Sequence, residues 1–444
     1  MHLFNDLPKF VNQHLNMKKL LLPIILLSTS IYAQLQWRPL SAAITNIDNQ
    51  RFDDVFFIND NIGWAANGAY AAVYKTIDGG VTWTTQVTEQ SLGGNYYFRN
   101  IEFIDENIGF LGTLNNLFLK TTDGGTNWTP VTNVPNSPAA ICGLDVVGSS
   151  TIFGCGAYFS PAFLIKSTDS GATWTYTDMS ALATALVEVQ FVDESIGYAS
   201  GADSNGGVIL KTVDGGANWT SIYNSNIPGE YVWKLQVLAS NSNVVFGSVE
   251  ANAPNNGRMI RSIDAGATWI SKEVPFTSVQ AVGFLTENHG WMGGYTSTVG
   301  TNFPFMETLD GGETWTDAGV GGNLNRIFFL SDNLAYASGA TIYKFSDTSL
   351  SNEPFTETNR IPLKVKVISN PVKDKLHISV DFNDSDHVVF ELYDAAGKFL
   401  KSLKFDTIEK EGVRNYVFDF PYASGTYLLN LHNDTGRQSV KFVK

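Results

Sequence analysis

The chain has 444 residues, with 29 Lys and Arg against 43 Asp and Glu and a formal net charge of −14. From Lys364 onward 12 basic residues meet 11 acidic ones, so the remainder carries 17 against 32, a net of −15. Nucleic acid and anionic membranes are both held through basic surface, so the excess argues against either as a partner and otherwise favours solubility.

In chain order, Met17-Lys-Lys comes first, then the apolar run Leu20 to Ile31, then Tyr32-Ala33. A short basic region, an apolar stretch of about a dozen residues and a small residue at its end describe a secretory signal, placed at 17–33. The stretch is too short to span a bilayer, so no transmembrane segment is expected. Residues 1–16 have no role in such a signal, and Met17 is read as the true start.

Residues 34–348 are dominated by one nine-residue motif in six copies. It begins as Lys75-Thr-Ile-Asp-Gly-Gly-Val-Thr-Trp83 and returns with tryptophans at 128, 174, 219, 269 and 315, spaced 45 to 50 residues apart. A fixed period of that length is the signature of a β-propeller, one four-stranded blade per repeat, and predicts an all-β fold. Upstream of each motif an apolar run closes on an aromatic-glycine signature, as in Val55-Phe-Phe-Ile followed by Ile62-Gly-Trp-Ala. Alternation of apolar and β-branched residues between turn signals reads as short strands. Asp-Gly-Gly is then a tight hairpin, glycine supplying positive φ and Asp accepting hydrogen bonds from the turn. The pairs Asp78 and Trp83, Asp123 and Trp128, Asp169 and Trp174, Asp214 and Trp219, Asp264 and Trp269, and Asp310 and Trp315 are accordingly read as turn braces, not metal ligands or catalytic acids.

The spacing also counts blades. Trp37 stands 46 residues before Trp83, and Arg326 to Asp347 has the look of three strands of a blade, with Asn352 where its tryptophan would be. A seventh blade with its outer strand from the N-terminus and its inner three from 325–347 would remove exposed sheet edges. Six blades is the alternative if the N-terminal strand lies elsewhere.

The pattern Ser/Thr-x-Asp-x-Gly-x-x-Trp resembles the BNR or Asp-box of sialidases and related propellers. The longer unit with Phe-x-Asp and Gly-Trp-Ala is similar to the photosystem II assembly-factor propellers, over roughly residues 34–350. After a Pro- and Thr-containing linker at 349–362, residues 363–444 differ in kind. Ile368-Ser-Asn-Pro-Val, Glu391-Leu-Tyr-Asp-Ala-Ala-Gly-Lys398, Ser424-Gly-Thr-Tyr-Leu-Leu429 and Lys441-Phe-Val-Lys444 occur in that order. Together they resemble the C-terminal sorting domain of the type IX secretion system of Bacteroidota, a small β-sandwich; an immunoglobulin-like adhesion module is the other reading. The resemblance implies export through the periplasm by the type IX machinery, to the outer surface or the medium.

Cys142 and Cys155 should lie on adjacent antiparallel strands about the turn Gly148-Ser149, either as a disulfide or as two core thiols. No histidine stands near them at ligand or triad spacing, so no metal or cofactor is expected. The Asp-box hairpins join third and fourth strands on one face. The opposite face carries the chain into each inner strand and from second to third strands, in segments that vary from repeat to repeat. Variable loops on a rigid frame carry function and aromatics anchor ligands. Tyr97, Arg99, Tyr158, Phe159, Tyr231, Trp233 and Arg326 are therefore the ligand-binding candidates.

A sialidase-like site would need an arginine cluster and a tyrosine nucleophile with a glutamate. The propeller offers only Arg38, Arg51, Arg99, Arg258, Arg261 and Arg326, and Arg360-Ile-Pro362 falls in the linker, behind the repeats instead of ahead of them. Xyloglucan-cleaving relatives place two Asp residues between tandem propellers, and this chain has one propeller. Asp53, Asp54 and Glu188 remain as carboxylates near the axis. The expected function is a secreted or cell-surface module binding a glycan or protein, with a glycoside hydrolase as the alternative.

Overall fold

The computed structural model describes residues 35–347 and 364–444, apart from 47–49, 157–160, 296–303, 383–385, 396–397 and 434–435. The secretory signal, the linker, Tyr158 and Phe159 lie outside the described residues. Residues 35–347 form seven four-stranded antiparallel sheets. The first comprises Phe52–Phe57, Gly63–Asn67, Ala72–Thr76 and Thr84–Val87, in that order. The next five begin with Phe98–Phe103, Gly143–Val147, Ala185–Phe191, Tyr231–Val237 and Val279–Phe284. The seventh runs Arg326–Ser331, Leu334–Ser338, Ile342–Asp347 and then Leu35–Pro39, which pairs antiparallel with Ile342–Asp347 from Leu35↔Asp347 to Pro39↔Tyr343. The leading strands of successive sheets pack side by side, and that of the seventh packs against that of the first.

Local chemistry explains each repeat. At the first Asp-box, Thr76 Oγ1 donates to Asp78 Oδ1 at 2.8 Å and accepts from Gly80 N at 2.9 Å. The same carboxylate accepts from Thr82 N at 2.8 Å and Thr82 Oγ1 at 2.6 Å, closing the hairpin around one side chain. Gly79 and Gly80 have φ of 69° and 91°, which is why glycine is favoured there. Ser170 and Ala265 occupy the equivalent of Gly79 at φ of 55° and 54° and carry that strain. Four of the Asp-box tryptophans, Trp83, Trp128, Trp219 and Trp315, stand edge-on to the phenylalanine that ends the leading strand of their own sheet, as Trp83 on Phe57 at 6.1 Å and Trp219 on Phe191 at 6.0 Å.

Neighbouring sheets are joined by stacked rings. Trp64 lies on Phe103 at 3.5 Å, Phe153 on Phe191 at 3.5 Å, Phe246 on Phe284 at 3.8 Å and Tyr336 on Phe57 at 3.4 Å. The last of these joins the seventh sheet to the first. Inner strands have no ladder partner on their axial side, so their backbone groups need other partners. Side chains of the preceding sheet supply them. Asp54 accepts from Ile101 N at 2.9 Å, Asp145 from Phe191 N at 2.6 Å and Gln190 from Val237 N at 2.9 Å, while Asn100 donates to Ile141 O at 2.8 Å.

The C-terminal residues form two further sheets, one of three strands and one of four. Leu376, Ile378, Val380, Phe390, Leu392, Leu429 and Leu431 from both sheets share one buried cluster. Alternation along Lys375–Phe382, where every second residue is buried, is the expected pattern for a sheet with one wet face.

Cys142 and Cys155 are both buried, and no disulfide joins them. The ladder sets Gly143, one residue beyond Cys142, opposite Cys155, so the facing register on which a disulfide depended does not form.

Candidate functional site

The functional candidates converge on the axis because the inner strands carry β-bulges. Register shifts occur between Phe52 and Asp54, Phe98 and Asn100, Leu186 and Glu188, Val232 and Lys234, and Val279 and Ala281. A bulge adds a residue and re-aims the side chains that follow. Toward the face opposite the Asp-boxes the axis is closed by a polar plug. Asp53 of the first sheet is fully buried and accepts from Arg99 of the second, with Arg51 Nη2 at 3.4 Å from the same oxygen. Arg99 also lies under the Trp233 ring at 5.2 Å. Trp233, from the fifth sheet, donates to Asn325 Oδ1 at 3.3 Å, and Asn325, just ahead of the seventh sheet, donates back to the Asp53 carbonyl. Arg51 bonds Gln280 of the sixth sheet and stacks on Tyr295 at 4.6 Å. Tyr97 stands beside the plug, its phenol pushed well up by burial and by Asp53, and Tyr231 meets Trp233 at 5.9 Å.

Toward the Asp-box face the axis widens into a cavity of about 240 Å³. Glu102, Asp145, Glu188, Lys234 and Arg326 supply its charges, and Leu235, Val282 and Phe329 part of its apolar wall. Lys234 pairs with Glu188. Arg326 Nη1 lies 3.2 Å from Asp54 Oδ1, and Nη2 3.7 Å from Glu102 Oε2. Burial pushes the Asp54 and Glu102 carboxyls up, Glu102 the more strongly and with added repulsion from Asp145, against the pull of Arg326. Asp145 is pushed up to about 7, chiefly by burial.

Of the sequence candidates, Arg99, Trp233, Tyr97 and Tyr231 meet at the plug, while Arg326 lies at the cavity with Asp54 and Glu188. Three of them differ from expectation: Arg326 is paired with Asp54 and Glu102 at the cavity toward the Asp-box face, and Arg99 and Trp233 are 4% and 8% exposed, so they are packed within the axis and are not open rim anchors. The bulges turn both inward. Sequence reasoning missed Glu102, Asp145, Lys234, Gln280 and Asn325. For the first four the signal was a polar residue inside an apolar inner strand, whereas Asn325 stands just ahead of one. Among the described residues no group of three or more His, Cys, Asp or Glu is placed to hold a metal ion, and no helix is long and apolar enough to cross a membrane.

Residues 30–162 match the family described as Photosynthesis system II assembly factor YCF48, and residues 366–444 match the Secretion system C-terminal sorting domain. The chain joins a Ycf48-like BNR propeller to a type IX sorting domain. The Photosystem II assembly lipoprotein Ycf48 of Synechococcus sp. (strain CC9902) is 24% identical to this chain over 301 residues, 63% of this chain and 80% of that protein. A solved structure of YCF48 bound to D1 peptide aligns at TM-score 0.52 and 20% identity, covering 70% of this chain and 96% of that one. An ancestral GH74 enzyme aligns at TM-score 0.53 and 14% identity, covering 92% of this chain and 64% of that one. These likenesses establish the propeller fold. The sorting domain implies the type IX secretion machinery as a partner and the cell surface or medium as the destination.

Proposed function

We propose that this chain is a secreted or cell-surface binding module: one closed seven-bladed propeller, with Leu35–Pro39 as the outer strand of the last blade, followed by a small β-sandwich for sorting. Its ligand is a protein segment or glycan held at the face opposite the Asp-boxes, where Tyr97, Tyr231 and Tyr295 surround the plug. The observation that carries the reading is the state of the axial carboxylates. Glycoside hydrolysis needs two carboxyl groups facing one sugar ring across a cleft. Here Asp53 is bound by Arg99 and Arg51, Asp54 by Arg326 and two backbone N–H groups, and Glu188 by Lys234. Their charges hold inner strands together, which leaves the partly exposed tyrosines as the groups able to meet a ligand. The D1 peptide in the YCF48 structure favours a protein segment over a glycan.

The test is binding of the purified protein to peptide and glycan arrays, with affinities then measured for Tyr97→Ala combined with Tyr231→Ala. A ligand that loses about tenfold or more in affinity in the double variant supports the reading, since aromatic anchors carry much of such an interface. Unchanged affinity for every ligand found would remove this face from consideration.

A further inference from the structure

The cavity toward the Asp-box face is not used by the reading above, and its chemistry is unbalanced. Three carboxylates, Glu102, Asp145 and Glu188, line it with two cations, Lys234 and Arg326, and Arg326 is also paired with Asp54 behind it, so full ionisation of the group leaves two surplus negative charges. Glu188 is committed to Lys234, and Asp54 to Arg326 and two backbone N–H groups. The other two are under-used. Asp145 takes the Phe191 N–H on Oδ2, and Glu102, 5% exposed, has an Oε2 with no hydrogen-bond partner among the described residues, Arg326 Nη2 standing 3.7 Å away and already engaged with Asp54. A buried acceptor without a donor costs roughly 1–3 kcal/mol, more when charged, so a ligand that brings donors and positive charge is favoured there.

We propose that this cavity binds a primary ammonium group, the end of an unbranched alkylamine, through Glu102 and Asp145, with the methylene stem along Leu235, Val282 and Phe329. An ammonium brings three N–H donors and no acceptor, which matches a wall of carboxylate oxygens. The volume of about 240 Å³ admits a short alkyl chain. A divalent metal ion fits less well. It needs several oxygens converging at roughly 2.0–2.6 Å, and no such group of acids occurs among the described residues.

Proton linkage follows. Burial lifts Asp145 to about 7, so it holds a proton at mildly acidic pH, and burial raises Glu102 in the same direction. A bound ammonium favours their charged forms, so binding releases protons and strengthens as pH rises from about 5.5 to 8, where an alkylamine is still protonated. The other groups facing the pair are Asp54, Glu188, Lys234 and Arg326.

The experiment is calorimetric titration of the full-length protein with cadaverine, with a short peptide carrying one lysine, and with 1-pentanol as the uncharged control. Ligands are taken to about 10 mM, so that a Kd near 1 mM is plain. The expected result is amine binding with protons released to buffer, weakened at least tenfold at pH 5.5 relative to pH 8 and in Glu102→Gln and Asp145→Asn, with no binding of the alcohol. Cadaverine binding alone identifies a free amine as the source, and tighter peptide binding identifies a lysine side chain. No amine binding by protein with an intact thermal transition overturns the proposal. So does equal binding of the alcohol, or binding that neither variant weakens while both melt as the parent does. Neither result depends on Tyr97 and Tyr231, so the module's other face is tested separately.

Discussion

Lys344 Nζ donates to the Gly79 carbonyl at 2.9 Å, tying the seventh sheet to the Asp-box turn of the first. The same bond runs from Lys75 to Gly124 at 3.0 Å, Lys120 to Ser170 at 2.7 Å, Lys166 to Gly215 at 2.8 Å and Lys211 to Ala265 at 2.7 Å. The lysine that opens each of the first four motifs therefore reaches the turn of the next sheet, and Lys344 repeats the step across the ends of the chain. At Arg261 the donor goes instead to Glu287 O at 2.9 Å.

Ring closure makes Trp37 a stability determinant. It packs on Phe345 at 5.3 Å within its own sheet and on Trp291 and Phe305 of the sixth sheet at 5.8 and 5.1 Å. Trp37→Ala is expected to cost about 3–5 kcal/mol in urea unfolding. A six-bladed ring, with this strand outside it, would give an unfolding midpoint close to the parent's.

Breaking the axial plug by one partner should cost more than breaking it by two. Asp53→Asn leaves Arg99 and Arg51 buried beside a neutral group and is expected to cost about 3–5 kcal/mol. Adding Arg99→Gln should recover part of that loss, a non-additivity read directly from unfolding midpoints. Strict additivity would show that the two side chains act independently.

Gly63 is fixed by Phe57. A Cβ there would sit 2.5 Å from the Phe57 ring, which cannot retreat because Tyr336 is stacked on it at 3.4 Å. Gly63→Ala is expected to destabilise by about 1–3 kcal/mol, and Gly109→Ala, against Phe103, by a similar amount. Calorimetric melting of the two variants checks this.

Much of the fold is legible in the chain because each repeat spells its own turn. Asp78 and its five equivalents each need a hydroxyl two residues before, glycine at the second turn position and a Thr or Asn four residues after, and all are visible as spacing. Trp37 was legible from the period alone. The axial site was not, because Asp53, Arg99, Glu188, Trp233 and Lys234 are delivered by bulges, and a bulge shifts a period-two pattern by one without marking the sequence. Arg99 and Trp233 therefore read as rim residues, and Glu102 and Asp145 as ordinary strand polars. The Cys142 register failed for a related reason: a one-residue offset decides which pair faces.

Stability should fall from both ends of the pH scale for opposite reasons. Asp169, Asp214, Asp264 and Asp310 are held down to about 2 by Thr or Asn side-chain and backbone donors. Their contribution is present above the ordinary value of 3.8 and is lost as pH falls through about 2. Asp145 is raised from 3.8 to about 7, so its proton favours the fold at low pH and that stability is lost as pH rises from about 4 to 7. Asp145→Asn is expected to flatten the slope of melting temperature against pH in that window and to raise stability at pH 8. An unchanged slope would place the titrating group elsewhere.

The most direct test of the central claim, that this propeller binds and does not cleave, is release of reducing sugar and sialic acid by the purified protein across plant, host and bacterial glycans. The account predicts no turnover of any of them by protein whose thermal transition shows it folded. Turnover of one glycan, abolished by Asp53→Asn, Asp54→Asn or Glu188→Gln in variants that remain folded, would contradict it and make the axial carboxylates a catalytic site.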